Sequence, residues 1–268
     1  MGGGATKGLA HVGAWKAIQE AEIAVAGIIG TSTGAIIGAA VAGGRTVEEM
    51  EEHTQRLRRR DVMRVNRRAV WVNGIRSPAV FRGETLRQYI RDTLPTERWR
   101  ELIMPLIVNA VDLASGEAVW FGHESDRDVP LVDAVYASAA LPVLFPPLEA
   151  GGRVLVDGGA LDMLPLGKAA EMGATRIIAI DVGAGRKADA QVVVDGGLVA
   201  VHQRVFSLMA GERRREAVRN WTGVPLTYVR PELEDTDGFD FDNREFFVEE
   251  GYRATRAALE VKTPLPGG

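Results

Sequence analysis

One pentapeptide narrows what this chain can fold into more than any other feature: Gly30-Thr31-Ser32-Thr33-Gly34, set between two segments of different character. Ahead of it, Ile23 to Ile29 is an apolar run with strand character. Behind it, Ala35 to Ala42 reads as a buried helix closed by Gly43-Gly44. A serine between small residues at a strand-to-helix junction is a nucleophile elbow. The turn is expected to be so tight that side chains at 30 and 34 would collide, which makes both glycine. It also sets the Ser32 hydroxyl above a helix N-terminus, where free N–H groups and the helix dipole favour a developing negative charge. On motif and setting alone, a Gly/Ser turn without chemistry stays open as the plainer reading.

The same stretch carries no charge from Ile23 to Gly44, a pattern that hydropathy alone would assign to a membrane span. Gly27, Gly30, Gly43 and Gly44 make it a poor continuous helix, and a strand, a turn and a buried helix explain it better. The rest of the composition agrees with a soluble globular protein. Of 268 residues, 46% are hydrophobic and 25% charged. A net charge of -4 argues against a nucleic-acid binder, and the lack of cysteine excludes disulfides, thiolate metal sites and a cysteine nucleophile. The start, Met1-Gly2-Gly3-Gly4, has neither the basic nor the apolar region of a signal peptide. The chain therefore reads as soluble and cytoplasmic, without a transmembrane segment.

Apolar strand-like runs alternate with amphipathic segments, which predicts one α/β domain over residues 1–268 with a mostly parallel sheet. Helices are expected from Leu9 to Ala21, after the capping box Thr46-Val47-Glu48-Glu49, after Gly83, and over 131–140, 198–220 and 244–259. Strands are expected over 105–111, 118–121, 154–156, 176–181 and 225–230.

A serine nucleophile needs a base. The four histidines are His11, His53, His123 and His202. The chain order Ser32–Asp157–His202 suits an α/β-hydrolase triad, but His202 falls in mid-helix and reads as a helix-face residue. Asp157 ends an apolar strand and is followed by two glycines that permit close backbone approach. A turn-capping aspartate is the plain alternative. The tripeptide recurs as Asp195-Gly196-Gly197, where Asp195 reads as the N-cap of the helix beginning at Leu198.

Several ordered blocks together resemble a patatin-like phospholipase of the bacterial branch. They are the glycine loop running into Gly8-Leu9-Ala10-His11-Val12-Gly13, the elbow, and Val108 to Leu113 with Ser115-Gly116-Glu117. Further along are Ala137-Ser138-Ala139-Ala140-Leu141-Pro142 with Phe145-Pro146-Pro147, the Asp157-Gly158-Gly159 tripeptide, and Asp240-Phe241-Asp242 with Glu250-Gly251-Tyr252. The resemblance implies a three-layer α/β/α sandwich and a serine acyl-ester hydrolase of the phospholipase A or lysophospholipase type. It implies Ser32 as nucleophile, Asp157 as the base of a Ser–Asp dyad, and backbone N–H groups of Gly3, Gly4 and Ala5 as the oxyanion hole. No metal or cofactor is implied. The alternative is a non-catalytic patatin-fold regulator or membrane-surface partner.

Two departures from the family pattern stand out. Aligned back from Gly8, the loop has alanine at position 5 where the family carries a third glycine, and alanine tolerates positive φ poorly. The family also has an apolar strand leading into the glycine loop, whereas here Met1 precedes the glycines directly; this predicts a domain lacking its first strand.

Two charged regions have competing readings. The arginines from Arg56 to Arg68, followed by Trp71, could hold the protein on anionic lipid headgroups, or could form a solvated helix end complementing its dipole; the second is the plainer. Glu212-Arg213-Arg214-Arg215-Glu216 reads as a solvated helix face. Asp235, Asp237, Asp240 and Asp242 lack the spacing of a calcium loop and read as an acidic loop.

Overall fold

The computed structural model describes residues 1–183, 188–233, 236 and 238–260. A 3-10 turn over Ala5–Leu9 leads directly into α1 (Ala10–Glu20). The elbow unit follows as β1 (Ile28–Gly30) and α2 (Thr33–Ala42). α2 is apolar all round, and every residue from Gly34 to Ala42 is buried. The uncharged stretch therefore divides into loop, strand, turn and core helix, and among the described residues no helix is long and apolar enough to cross a membrane.

α3 (Val47–Arg56) opens with the expected capping box: the Glu49 N–H donates to Thr46 Oγ1 at 3.2 Å, and the Thr46 N–H to Glu49 Oε2 at 3.0 Å. α4 (Arg59–Val62), α5 (Arg67–Asn73) and α6 (Gly83–Thr93) follow. A hairpin of β2 (Leu106–Asp112) and β3 (Ala118–Gly122) turns at Gly116, whose φ is +73°. Then come α7 (Leu131–Ala139), β4 (Leu148–Ala150), β5 (Arg153–Asp157), α8 (Leu166–Glu171) and β6 (Ile177–Ile180). The chain continues through α9 (Ala190–Asp195), α10 (Gly197–Arg219), β7 (Leu226–Val229) and α11 (Arg244–Glu260).

The architecture is an α/β sandwich, with α2 and α7 packed on β1 and β2, α8 on β6, and α11 against α1 and β7. Within it the sheet is mixed rather than mostly parallel. β1 pairs with β2 in parallel and β6 with β7 in parallel, whereas β3 and β5 run antiparallel to β2, and β4 antiparallel to β5. Connection length accounts for β2–β3 and β4–β5, which are hairpins and so antiparallel, and for the parallel pairs, which are joined by longer helical crossovers.

β2 is the ruler of the site. β1 and β5 lie on the same edge of it, end to end and running toward each other. Gly30 pairs opposite Val108 and Asp157 opposite Ala110, with Asn109 between. At about 3.3 Å per residue, the ends of β1 and β5 meet within about 7 Å along the strand.

The sheet is also split. β1–β5 form one sheet and β6–β7 another. Met1 and Gly2 bridge them: the Met1 amine donates to Ile29 O at 2.9 Å, the Thr31 N–H to Met1 O at 3.1 Å, and the Gly2 N–H to Ile180 O at 3.0 Å. Next to this bridge an apolar cavity of about 550 Å³ runs between the edges of β1 and β6, lined among others by Ile23, Val25, Ile29, Leu166 and Ile178.

Candidate active site

Ser32 occupies the turn between β1 and α2 with φ +56° and ψ -124°, a conformation seldom adopted by a residue carrying a Cβ. The glycines flanking it are required by close contacts, but not by contact with each other's side chains. A Cβ on Gly30 would come within 2.5 Å of the Gly34 carbonyl and 2.6 Å of Ala35 Cα. A Cβ on Gly34 would instead strike the backbone of Met1 and Gly2, so the turn is pressed against the N-terminal segment as well as against itself.

Asp157 ends β5 and is fully buried. Its Oδ1 accepts the Gly159 N–H at 2.8 Å. The Ser32 hydroxyl also interacts with the carboxylate, while Oδ2 is buried without a well-aligned partner. Burial pushes the Asp157 pKa up to about 7; the Ser32 hydroxyl and the Gly159 N–H pull it partly back. A carboxylate that would be a weak base at pKa 4 is thereby matched to proton transfer near neutrality.

One helix end holds both residues. Ser138, on the last turn of α7, accepts the Ser32 N–H at 2.9 Å through its hydroxyl, and Ala140 O accepts the Asp157 N–H at 3.0 Å. Asn109, between the two strand ends, donates from Nδ2 to Asp162 O at 2.8 Å and fixes the loop beyond Asp157.

The glycine loop lies beside Ser32, close enough that a Cβ on Gly3 would sit 2.9 Å from Ser32 Cβ. The three expected oxyanion donors are not equivalent. The Gly3 N–H donates to Met163 O at 3.3 Å, whereas among the described residues the Gly4 and Ala5 N–H groups donate to no protein acceptor. Ala5 adopts φ +51° despite its side chain. It is held there by Thr33, whose hydroxyl donates to Ala5 O at 2.8 Å, and by the next residue, whose N–H donates to Gly238 O at 2.9 Å. The elbow thus clamps the loop. Ala5, Ser32 and Val143 (φ +71°), three of the five non-glycine residues at positive φ among the described residues, all sit at or beside the site.

Residues 1–170 match the family model described as patatin-like phospholipase. The chain belongs to the patatin-like phospholipase family. An uncharacterized NTE family protein of Mycobacterium bovis is 33% identical over 182 residues, covering 68% of this chain and 48% of its own length. Neuropathy target esterase sws of Drosophila melanogaster is 31% identical over 68% of this chain and 12% of its own length. The chain thus spans about half the length of the mycobacterial relative and a small part of the fly one. Among solved structures, VipD from Legionella pneumophila aligns with a TM-score of 0.52 at 15% identity, covering 96% of this chain and 65% of that one. That likeness is one of fold.

Among the described residues none of the four histidines is hydrogen-bonded to Ser32. His11 is buried beneath the glycine loop and donates from Nε2 to Gly2 O at 2.7 Å; burial, then the Met1 amine, holds its pKa down to about 3. It is a neutral support for the loop. His53 contacts Thr93, His123 is largely exposed, and His202 lies in α10 beside Gln203. The second Asp-Gly-Gly differs from its expected role. Asp195 is the last residue of α9 rather than an N-cap: the N-cap of α10 is Gly196, and Asp195 Oδ1 accepts from Gln191 Nε2 at 2.8 Å.

Two charged segments were only partly legible. Arg214 is buried, not solvated, and pairs with the buried Asp181 at 3.0 Å, which also meets Arg230 and the Tyr228 hydroxyl. In the basic run, Arg58 Nη1 donates to the carbonyls of Gln55 and Leu57 at the end of α3, as a dipole-complementing cation does. Of the acidic loop, Asp240 accepts the Asp242 and Asn243 N–H groups, while Asp235 and Asp237 lie outside the described residues. Sequence reasoning placed Ser138 only within a resembling block; its signal is a hydroxyl in the apolar last turn of a helix just before Pro142.

Proposed function

We propose that the chain is a serine acyl-ester hydrolase acting on lipid acyl chains of the phospholipid or lysophospholipid type, with Ser32 as nucleophile and Asp157 as base. The observation that carries this reading is the meeting of a strained serine with a buried carboxylate whose pKa is pushed up to about 7. Membership of the patatin-like phospholipase family supports the lipid hydrolase class.

In the forward half-reaction Asp157 takes the Ser32 proton as Oγ attacks the ester carbonyl. The carbonyl oxygen becomes the oxyanion, for which the unengaged N–H groups of Gly4 and Ala5 are the donors, with Gly3 shaping the loop. Collapse expels the alcohol, which receives the proton from Asp157 and leaves an acyl-Ser32. Water then attacks the acyl carbon with Asp157 again as base, releasing the fatty acid and restoring the serine.

The rival of another class is a patatin-fold protein without catalysis, a reading favoured by the alanine in the glycine loop. A fluorophosphonate probe separates the two: labelling that disappears in Ser32→Ala supports the hydrolase, and an unlabelled wild type supports the rival. Asp157→Asn is expected to abolish ester hydrolysis while Asp195→Asn leaves it intact; the reverse result would sink the assignment.

A further inference from the structure

Residues 190–209 place bulky apolar side chains in water. Val192 in α9 and Leu198, Val201, Val205, Leu208 and Met209 in α10 are exposed, from 39% at Val201 to 75% at Leu198. Positions 198, 201, 205 and 208 follow the helical repeat, so their side chains line one face. Asp195 and Arg204 are the only charged residues from 190 to 209. Single exposed apolar residues need no explanation, but a contiguous apolar helix face marks an interaction surface.

The opposite side of α10 rests on the loops of the active site. Gln203 Nε2 donates to Pro142 O at 3.0 Å, and Arg213 donates to Ala160 O, three residues beyond Asp157. Ser32 is 4% exposed and Asp157 not at all.

A basic surface is linked to α10 through the backbone that its other side rests on. Val143, next to Pro142, bridges Ala79 and accepts the Val80 N–H at 2.9 Å. Phe81 in turn bridges Val65, and the Arg82 N–H donates to Arg64 O at 2.9 Å. Three extended segments therefore connect the middle of α10 to the arginine run. There Arg59, Arg60, Arg64, Arg67 and Arg68 are exposed with Asp61 as their only acidic neighbour in the run, and Trp71 is 90% exposed.

We infer that the α9–α10 apolar stripe, together with the nearby exposed arginines of residues 59–68 and Trp71, docks on an anionic lipid bilayer. An apolar stripe with a cation-rich segment and an exposed tryptophan nearby matches the interface of such a membrane, with acyl chains beneath phosphate headgroups. A second copy of the chain would bring the same cations against each other, which disfavours self-association through the whole face. The inference deepens the hydrolase reading by naming where the ester comes from, and its test is independent of catalysis.

The test uses the full chain carrying Ser32→Ala, co-sedimented with vesicles of phosphatidylcholine, with or without phosphatidylglycerol. Binding to the anionic vesicles is expected, and Leu198→Gln/Val205→Gln/Met209→Gln is expected to weaken it on the order of 100-fold or more. Arg64→Gln/Arg67→Gln/Arg68→Gln is expected to weaken it about fivefold per arginine on anionic vesicles alone. In the Ser32 background, both sets of variants are expected to hydrolyse a water-soluble short-chain ester at the wild-type rate. Absence of vesicle binding, or equal binding by the apolar variant, overturns the proposal. So does a dimer in sedimentation velocity that the apolar variant dissociates without any vesicle binding. If vesicles bind as expected but no soluble ester is cleaved, the docking face stands and the hydrolase reading falls.

Discussion

Asp157→Asn should make the protein inactive and, above neutral pH, more stable. Asp157 is fully buried, and its pKa in the folded chain is pushed from 3.8 to about 7, chiefly by desolvation. Below about pH 4 the carboxyl is protonated in both folded and unfolded chains, and it contributes no pH dependence. Between about pH 4 and 7 the unfolded chain ionises while the folded one does not, so wild-type stability falls by about 1.4 kcal/mol per pH unit from this group. Above pH 7 both are ionised and the deficit levels off. A shift of about three units places it at about 4 kcal/mol. Asparagine keeps the Gly159 N–H bond and the volume, and it does not titrate. The stability of Asp157→Asn minus that of wild type should therefore rise by about 4 kcal/mol between pH 4 and pH 8.5. Urea unfolding followed by tryptophan fluorescence across that range measures it. A difference that stays flat with pH would refute the reasoning: Asp157 would then ionise as an ordinary carboxylate and be too weak a base for its proposed role.

The same titration should appear in catalysis, where only ionised Asp157 accepts the Ser32 proton. The pH profile of kcat/KM on a soluble ester should rise to a plateau with an apparent pKa of about 7, leaving about 1% of the plateau at pH 5; a limb near pH 4 would contradict it. Ser138→Ala removes the acceptor of the Ser32 N–H in a buried site. It should cost about 1–3 kcal/mol in stability and lower kcat on the order of 10-fold or more with little change in KM, and an unchanged kcat would remove Ser138 from the positioning role. Adding four β-prone apolar residues ahead of Met1 should fill the slot between β1 and β6 and replace the buried amine, whose pKa burial lowers to about 5, by an uncharged amide. The free amine is protonated below pH 8 when unfolded but only below pH 5 when folded. The gain in thermal midpoint should therefore be larger at pH 5 than at pH 9, and no gain at either pH would show that the slot does not accept a strand.

The parts of the site legible in the sequence are those decided within a few residues. The elbow is local: Gly30 is required by backbone four and five residues later, and the apolar α2 that follows has no charged face to turn to solvent. Asp157 is legible for the same reason, as a carboxylate at the end of an apolar strand before two glycines. What misled local reading was side chains with distant partners. Arg214 sits among charged neighbours and reads as solvated, yet Asp181, 33 residues earlier, draws it inside. Asp195 misleads for a separate reason: it resembles an N-cap, but α9 ends on it, and Gly196 takes the capping position.

The amino-acid sequence by itself determined the strained turn at Ser32 and the glycine-rich segment before it, and marked Asp157 as a carboxylate ending an apolar strand, because each depends on conformational limits within a short stretch. The tertiary structure decided how these become one site. The antiparallel return of β5 onto the edge of β2 already held by β1 brings Asp157 to Ser32, and burial, a property of the whole fold, raises its pKa. Partners far away in the chain decide that the Gly3 N–H is engaged, while among the described residues those of Gly4 and Ala5 donate to no protein acceptor.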